Sequence, residues 1–296
     1  MSEIAIAFFV FNRPELSRQV FDAIRKHKPR KLYIIADGPR LDRRGEAERC
    51  AETRKTVLSA IDWLCEVHTN FSERNLGCKW RMASGLDWVF SKEEKAIILE
   101  DDCLPDSTFF PFCEELLGRY AQDQRVMSIC GGNYQDGRVR NDASYYFSKY
   151  PRIWGWASWR RAWQHYDVNM CHWPEFRDGR WLLDVLGGNV ASARYWHAYF
   201  ETIFQNRIDT WDYQWQFAHW VHGGLSIIPN RNLISNIGFG ADATHTKQEE
   251  NLRSKMPLVT MPFPLCHPRI ITADRFQDLY SEVRDYGIRE KDKTDS

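Results

Sequence analysis

The first third of the chain alternates between continuous apolar runs and stretches with apolar residues at helical spacing. A run that is apolar throughout is typical of a strand buried on both faces, as in parallel sheets. Such strands are predicted at 4–11, 32–36 and 96–99, and a weaker, more polar strand is predicted at 66–71. Helices are predicted from Pro14, over 46–64 and over 78–90. The alternation predicts an α/β fold with a mixed, mostly parallel sheet flanked by helices.

The pattern changes after the fourth predicted strand. Aromatic residues crowd the stretch 145–163 around Gly155, and a helical, aromatic-rich region follows. Helices are predicted at 181–204 and 211–220, and short strands at 225–229 and 232–235. We therefore expect two halves of one domain, 1–104 and 105–246, followed by a C-terminal extension, 247–296.

Composition narrows the class of protein. The 296 residues carry 40 basic and 40 acidic side chains, which argues against a non-specific nucleic-acid or anionic-membrane binder. A hydrophobic share of 43% excludes a mainly disordered chain. The eight cysteines include no C-x-x-C pair, so a structural zinc site is not expected. The sequence shows no signal peptide and no transmembrane segment, so we expect a cytoplasmic protein.

Three consecutive carboxylates, Glu100, Asp101 and Asp102, follow the fourth predicted strand directly. Ligands on parallel sheets bind outside the carboxyl ends of the strands. Adjacent carboxylates repel one another unless a cation is present, and Mg²⁺ or Mn²⁺ prefers oxygen ligands. The triplet therefore predicts a divalent cation site, with a solvated turn before the next helix as the alternative.

Asn12 and Asp37 end the first and second predicted strands and should lie at the same edge of the sheet. An Asp in such a crevice can accept a hydrogen bond from a nucleotide base or ribose, although an ordinary turn before Gly38 is the alternative. Basic residues on the same rim would suit a diphosphate. They are Arg13, Arg40, Arg43, Arg44, Arg74, Lys79 and Arg81.

Together these motifs resemble a GT-A glycosyltransferase, over about residues 1–246. These are nucleotide-sugar-dependent enzymes with a metal at a D-x-D-type motif. Glu-Asp-Asp is similar to the variant of N-acetylglucosaminyltransferase-I-like members, and bacterial family-2 enzymes are the wider neighbours. The resemblance implies a Rossmann-like GT-A fold. It also implies that Asp37 binds the base, uracil in a UDP-sugar, with nucleotide contacts from Asn12, Arg74, Lys79 and Asp101.

The same resemblance implies roles for the other candidates. Asp102 would be the direct Mn²⁺ or Mg²⁺ ligand, supported by Glu100 and Asp101 through water or ribose, and His245 would be a second ligand. The glycine loop under the donor sugar would be Trp154-Gly155-Trp156, whose tryptophans offer flat faces to sugar rings. Asp212 would be the catalytic base, beside Trp211 at the acceptor, with Asp209 as its rival.

The resulting hypothesis is direct displacement with inversion, in which Asp212 takes a proton from an acceptor hydroxyl. A retaining course stays open. The acceptor would be a glycan or lipid-linked precursor at the inner membrane face of a bacterium. The alternatives are an NAD(P)-dependent oxidoreductase, from the G-x-G-x-x-A match at 238–243, and a non-catalytic carbohydrate-binding protein.

Overall fold

In the computed structural model, which describes residues 3–239 and 256–288, an eight-stranded sheet forms the centre of the protein. Its strands in chain order are β1 (Ala5–Val10), β2 (Lys31–Ala36), β3 (Glu66–Phe71), β4 (Lys95–Glu100), β6 (Val126–Cys130), β7 (Tyr145–Ser148), β8 (Trp156–Trp159) and β9 (Leu225–Pro229). Two short strands, β5 (Cys103–Pro105) and β10 (Ile234–Asn236), pair separately.

Helices cover both faces of the sheet. They are α1 (Pro14–His27), α2 (Glu46–Ser59), α3 (Gly77–Lys92), α4 (Phe109–Arg119), α5 (Arg160–Trp163), α6 (Trp173–Asp178), α7 (Trp181–Val185), α8 (Val190–Phe204), α9 (Asp212–Val221) and α10 (Arg275–Tyr286). No helix among the described residues is both long and apolar enough to cross a membrane.

The predicted parallel half of the sheet is confirmed. Strands β3, β2, β1 and β4 lie side by side and pair in parallel, and every residue of β1 is buried. Apolar strands buried on both faces need helices above and below them, which α1 and α3 supply. The carboxyl ends of β1, β2 and β4 therefore meet at one edge.

The aromatic stretch contains a strand that the sequence analysis did not find. Strand β8 runs antiparallel between β4 and β6 in the middle of the sheet. Gly155 turns the chain into it with a φ of +58°, and Ile234 fills the space where a Cβ would point. Because β8 joins β4 to the second half of the sheet, the two predicted halves share one sheet.

The helix predicted over 181–204 is wrong as a single element. Gly187 and Gly188 have φ values of +64° and +81°, which breaks it into α7 and α8. The side chain of Asn189 then caps α8 by accepting a hydrogen bond from the Ser192 N–H at 3.0 Å. The helix predicted over 46–64 is shorter than expected and ends at Ser59.

The C-terminal helix α10 is attached to the sheet through buried polar contacts. Asp278 accepts hydrogen bonds from the Ser148 hydroxyl at 2.5 Å and from the Lys149 N–H at 3.2 Å. Asp285 pairs with the buried guanidinium of Arg152 at 2.5 Å. Helix α10 thus fixes the segment that leads from β7 toward Gly155.

Candidate functional site: a cleft at the carboxyl edge of the sheet

A cavity of about 690 Å³ opens where β1, β2 and β4 end. One wall carries Asp37 and the acidic triplet, as the sequence analysis predicts for the strand ends. The opposite wall comes from α8, α9, α10 and the turn before β8. The cleft therefore brings the strand-end carboxylates and Asp212 into one space.

Two carboxylates of the triplet share one arginine. Buried Asp101 accepts the N–H of Phe11 at 3.3 Å and a short hydrogen bond from Arg13 Nη2. The same Nη2 lies 3.0 Å from Oδ2 of Asp102. The positive neighbour that the crowded triplet requires is thus supplied in part by Arg13, a side chain that the sequence analysis left among the general rim cations.

Glu100 lies beside the other carboxylates of the triplet. Burial and the charges of Asp102 and Asp101 raise the pKa of Glu100 well above its ordinary value, and the charge of Asp212 adds to the effect. A raised pKa favours the protonated carboxyl, so a cation bound here would displace that proton, and carboxylate oxygens are the ligands that Mg²⁺ and Mn²⁺ prefer. The carboxylate oxygens of the triplet therefore suit a divalent cation of this kind.

The set of metal ligands is incomplete within the described chain. Over residues 3–239 and 256–288, no group of three or more His, Cys, Asp or Glu side chains is placed to hold a metal. His245, the predicted second ligand, lies outside the described residues. A cation at Asp102 would therefore need further ligands from elsewhere, such as the phosphates of a bound nucleotide.

Asp37 accepts hydrogen bonds from the loop that precedes α3. Its buried carboxylate accepts the N–H groups of Gly38 at 2.8 Å, Leu76 at 2.9 Å and Gly77 at 3.1 Å. The side-chain amide of Asn75 donates to it at 3.1 Å. Burial raises the pKa of Asp37, and these backbone N–H groups oppose the rise. Asp37 borders the cleft as predicted, but its oxygens already hold the first turn of α3.

Asp209, the predicted rival base, completes the same helix end. Its two oxygens accept the N–H groups of Cys78 and Lys79, each at 3.1 Å. Helix α3 has no capping side chain of its own at Leu76. Asp37 and Asp209 therefore satisfy, from two distant parts of the chain, the N–H groups that a helix start leaves without partners.

We expect Asp37→Ala to lower the free energy of unfolding by about 2–4 kcal/mol, because several buried N–H groups lose their acceptor. Urea denaturation followed by circular dichroism measures this change. Affinity for all nucleotides should fall together as the loop loosens. Unchanged stability with a loss confined to uridine nucleotides would instead assign Asp37 to base recognition.

Arg81 is a buried cation at the cleft. Its side chain is 7% exposed, and its Nε has no hydrogen-bond partner among the described residues. Burial lowers its pKa, and the charge of Asp37 only partly offsets this. A charge buried with so few hydrogen bonds is destabilising, and a ligand oxygen in the cleft that met the guanidinium would offset part of this cost.

The other predicted nucleotide contacts point elsewhere. The Asn12 amide donates to Glu46 at 2.9 Å, and Lys79 Nζ donates to Asn206 at 2.6 Å. Arg74 is exposed at the surface. None of the three is among the residues that line the cleft.

The aromatic candidates divide between cleft and core. Trp154 is partly exposed in the cleft and packs edge-on against Tyr134, with ring centroids 5.7 Å apart. Trp156 is 1% exposed and stacks on Trp211, with centroids 5.7 Å apart. Trp211 borders the cleft while Trp156 does not, so the structure places Trp156 among the core aromatics.

Asp212 begins α9 and lies partly exposed on the cleft. The Thr210 hydroxyl donates a short hydrogen bond to its Oδ1. The charge of Asp212 helps to raise the pKa of Glu100. It also adds to burial, the main cause, in raising the pKa of the Cys78 thiol. A carboxyl group held in one orientation by a hydrogen-bond donor is the arrangement expected of a general base.

The glycine motif considered for a dinucleotide has an unsuitable setting. Gly238 follows β10, a strand of the separate antiparallel pair, and packs against Asp102. A dinucleotide fingerprint would follow a parallel strand and open a helix. The remainder of the motif, 240–243, lies outside the described residues.

The sequence does contain a signal for Arg81. Arg81, Gly85 and Val89 follow one another at i, i+4 and i+8, and all three are buried on one face of α3. A charge on an otherwise apolar helix face marks a buried cation. No comparable signal exists for Tyr199, Tyr213 and Tyr286, which reach the cleft from three separate helices.

No family model and no curated protein matches the chain. Among solved structures, Staphylococcus aureus TarS is 8% identical over 56% of this chain and 30% of its own, with a TM-score of 0.37. Mouse xyloside xylosyltransferase 1 is 8% identical over 75% of this chain and 84% of its own, also at 0.37. CMP:2-keto-3-deoxy-manno-octonic acid synthetase complexed with CTP is 14% identical over 64% and 87%, at 0.36. The chain thus spans less than a third of TarS, and scores this low carry no argument about activity.

Proposed function

We propose that the protein is a GT-A glycosyltransferase that transfers a sugar from a UDP-linked donor to a hydroxyl of a glycan or lipid-linked acceptor, with inversion. The observation that carries the proposal is the shared cleft. A buried arginine without hydrogen bonds at Nε, a strand-end carboxylate triplet and Asp212 all line it. A nucleotide sugar would offer its phosphates to Arg81, and the acceptor would offer its hydroxyl proton to Asp212.

The donor half would be held by charge. Arg81 lies on the wall formed by the ends of β1 and β2, where an anionic or carbonyl oxygen would complete its hydrogen bonds. Arg13 is bound to Asp101 and Asp102, so a diphosphate that attracts it would also free part of their negative charge. The donor would therefore bind between two arginines and the triplet.

Asp102 and Glu100 would hold a divalent cation, which when bound supplies Lewis-acid stabilisation of the departing nucleoside diphosphate. The chain's own contribution to bond formation is Asp212. It would accept the proton of the acceptor hydroxyl while the Thr210 hydroxyl keeps its carboxylate oriented. Trp154 would shield the sugar from water on the side facing Tyr134.

Isothermal titration with UDP tests the donor site, and Arg81→Met is the sharpest variant. The loss of a charged hydrogen bond should weaken UDP binding by about 1.5–3 kcal/mol, or roughly 10–150-fold. The variant should be at least as stable as the wild type, because it removes a buried charge that lacks a partner at Nε.

Lys79→Met is the matched comparison, two residues away on the same helix. Lys79 is also buried, but its Nζ bonds to Asn206 outside the cleft. Its loss should lower stability and spare UDP affinity. If Lys79→Met weakens UDP binding and Arg81→Met does not, the nucleotide role belongs to Lys79, as the sequence analysis predicts. If the wild type binds NAD(P)H and not UDP, the oxidoreductase alternative is correct.

A further inference from the structure

The wall of the cleft that faces the acidic triplet is built from aromatic rings. Trp154, Trp196, Tyr199, Tyr213 and Tyr286 all border the cavity on this side. They come from the turn before β8 and from α8, α9 and α10. The C-terminal helix thus contributes a side chain to the site itself.

The rings brace one another and hold a fixed shape. Tyr199 and Tyr213 are stacked with centroids 5.3 Å apart and planes inclined by 3°. Trp196 packs against Tyr213 at 5.9 Å and against Tyr286 at 5.0 Å. Aromatic clusters of this kind lose little conformational entropy when a ligand binds, so they suit recognition.

A polar group on this wall lacks a partner. The indole Nε1 of Trp196 has no hydrogen-bond partner among the described residues, although the side chain is only 2% exposed. A buried N–H without an acceptor is destabilising. Because this nitrogen is itself buried, Trp196 offers the cavity its ring, and the hydroxyl groups of a ligand would be met by Asp212, which also borders the cleft.

The charges on this side exclude an anion. Arg152 is the cation of this wall, and its guanidinium is committed to Asp285 at 2.5 Å and to Ser281 at 2.9 Å, above the ring of Tyr134. The carboxylates of Asp209 and Asp212 also border this side. On this aromatic wall a phosphate or carboxylate of a ligand would meet the negative charge of Asp209 and Asp212, and the wall's described cation, Arg152, is already paired.

We infer that this aromatic wall is an acceptor subsite for an uncharged sugar ring, and that the reacting acceptor group is a hydroxyl of a neutral glycan and not a lipid phosphate. The inference rests on the proposed function. A pyranose ring presents a face of C–H groups to the aromatic rings and hydroxyls to Asp212. Tyr199 and Tyr213 are binding residues for the acceptor in this assignment.

The first experiment compares acceptors. Release of UDP from the donor that the protein binds is measured with neutral methyl glycosides, with the matching sugar phosphates and with a short polyprenyl phosphate. Neutral glycosides should accelerate UDP release at least tenfold, and the phosphates should not. Acceleration by a sugar phosphate or polyprenyl phosphate, with none by neutral glycosides, overturns the inference. A wild type that binds no nucleotide sugar defeats the proposed function itself, and the acceptor subsite with it.

The second experiment compares variants with the best neutral acceptor. Tyr199→Ala should raise the acceptor KM at least tenfold relative to the donor KM, and Tyr199→Phe should restore it because the ring is kept. Tyr195→Ala is the control, because Tyr195 packs against Tyr199 at 4.6 Å and does not line the cleft. It should leave both KM values within about twofold of the wild type. Equal acceptor KM values for Tyr199→Ala and Tyr195→Ala would overturn the assignment.

Discussion

Replacement of Asp212 by asparagine should lower turnover about 10²–10⁴-fold, the usual worth of general-base catalysis. Asparagine keeps the shape of the side chain and can still accept a hydrogen bond from Thr210, but it cannot take a proton. Donor affinity should barely change, because Arg81 and Asp102, the residues proposed to hold the diphosphate and its metal ion, are both kept. Steady-state kinetics with UDP titration separates the two effects.

Asp209 provides the control for this prediction. Its carboxylate caps α3, so Asp209→Ala should lower the free energy of unfolding by about 0.5–2 kcal/mol. Asp209→Asn should be nearly neutral, since asparagine caps helices as well as aspartate does. If Asp209→Asn is inactive while Asp212→Asn retains activity, the base has been assigned to the wrong carboxylate. Full activity in both would favour a retaining course, which needs no such base.

The parallel strands could be predicted because each is a local signal. The strand β1 is apolar at every position, and so no partner needs to be known to recognise it. Strand β8 has only four residues, and three neighbouring tryptophans in 154–159 made the segment look like a ligand loop. The segment is a strand because it pairs with β4 and β6, and this pairing cannot be predicted from the local sequence pattern.

The candidate site was predictable in its location and less so in its contacts. Asp37 could be placed at a strand end, but its donors come from Asn75, Leu76 and Gly77, almost forty positions later. The sequence does not distinguish an aspartate that accepts hydrogen bonds from the protein backbone from one whose oxygens are available to a nucleotide. Tyr286 joins the cleft from a helix that the sequence analysis assigned to an extension without a role. Such long-range placements depend on packing, which the local pattern does not encode.

Removal of the Asp102 carboxylate should abolish the dependence of UDP binding on Mn²⁺. In the wild type we expect Mn²⁺ to raise UDP affinity about 100-fold, equivalent to about 2.7 kcal/mol. Asp102→Asn should reduce this gain to less than about threefold. The reason is that Glu100 alone would remain to meet the ion, while Asp101 is buried and bound to Arg13 and to the Phe11 N–H.

The same variant should fold at least as well as the wild type. Three adjacent carboxylates repel one another, and the pair formed by Arg13 and Asp101 survives the substitution. Mn²⁺ without UDP should bind the wild type weakly, because Arg13 already lies against both aspartates. Titrations of UDP with and without MnCl₂ measure the metal dependence, and thermal denaturation measures the fold. Asp212→Asn, which keeps both Asp102 and Glu100, should retain the gain from Mn²⁺. An Asp102→Asn protein whose UDP affinity still rises about 100-fold with Mn²⁺ would remove Asp102 from the metal site and leave Arg13 as its principal partner.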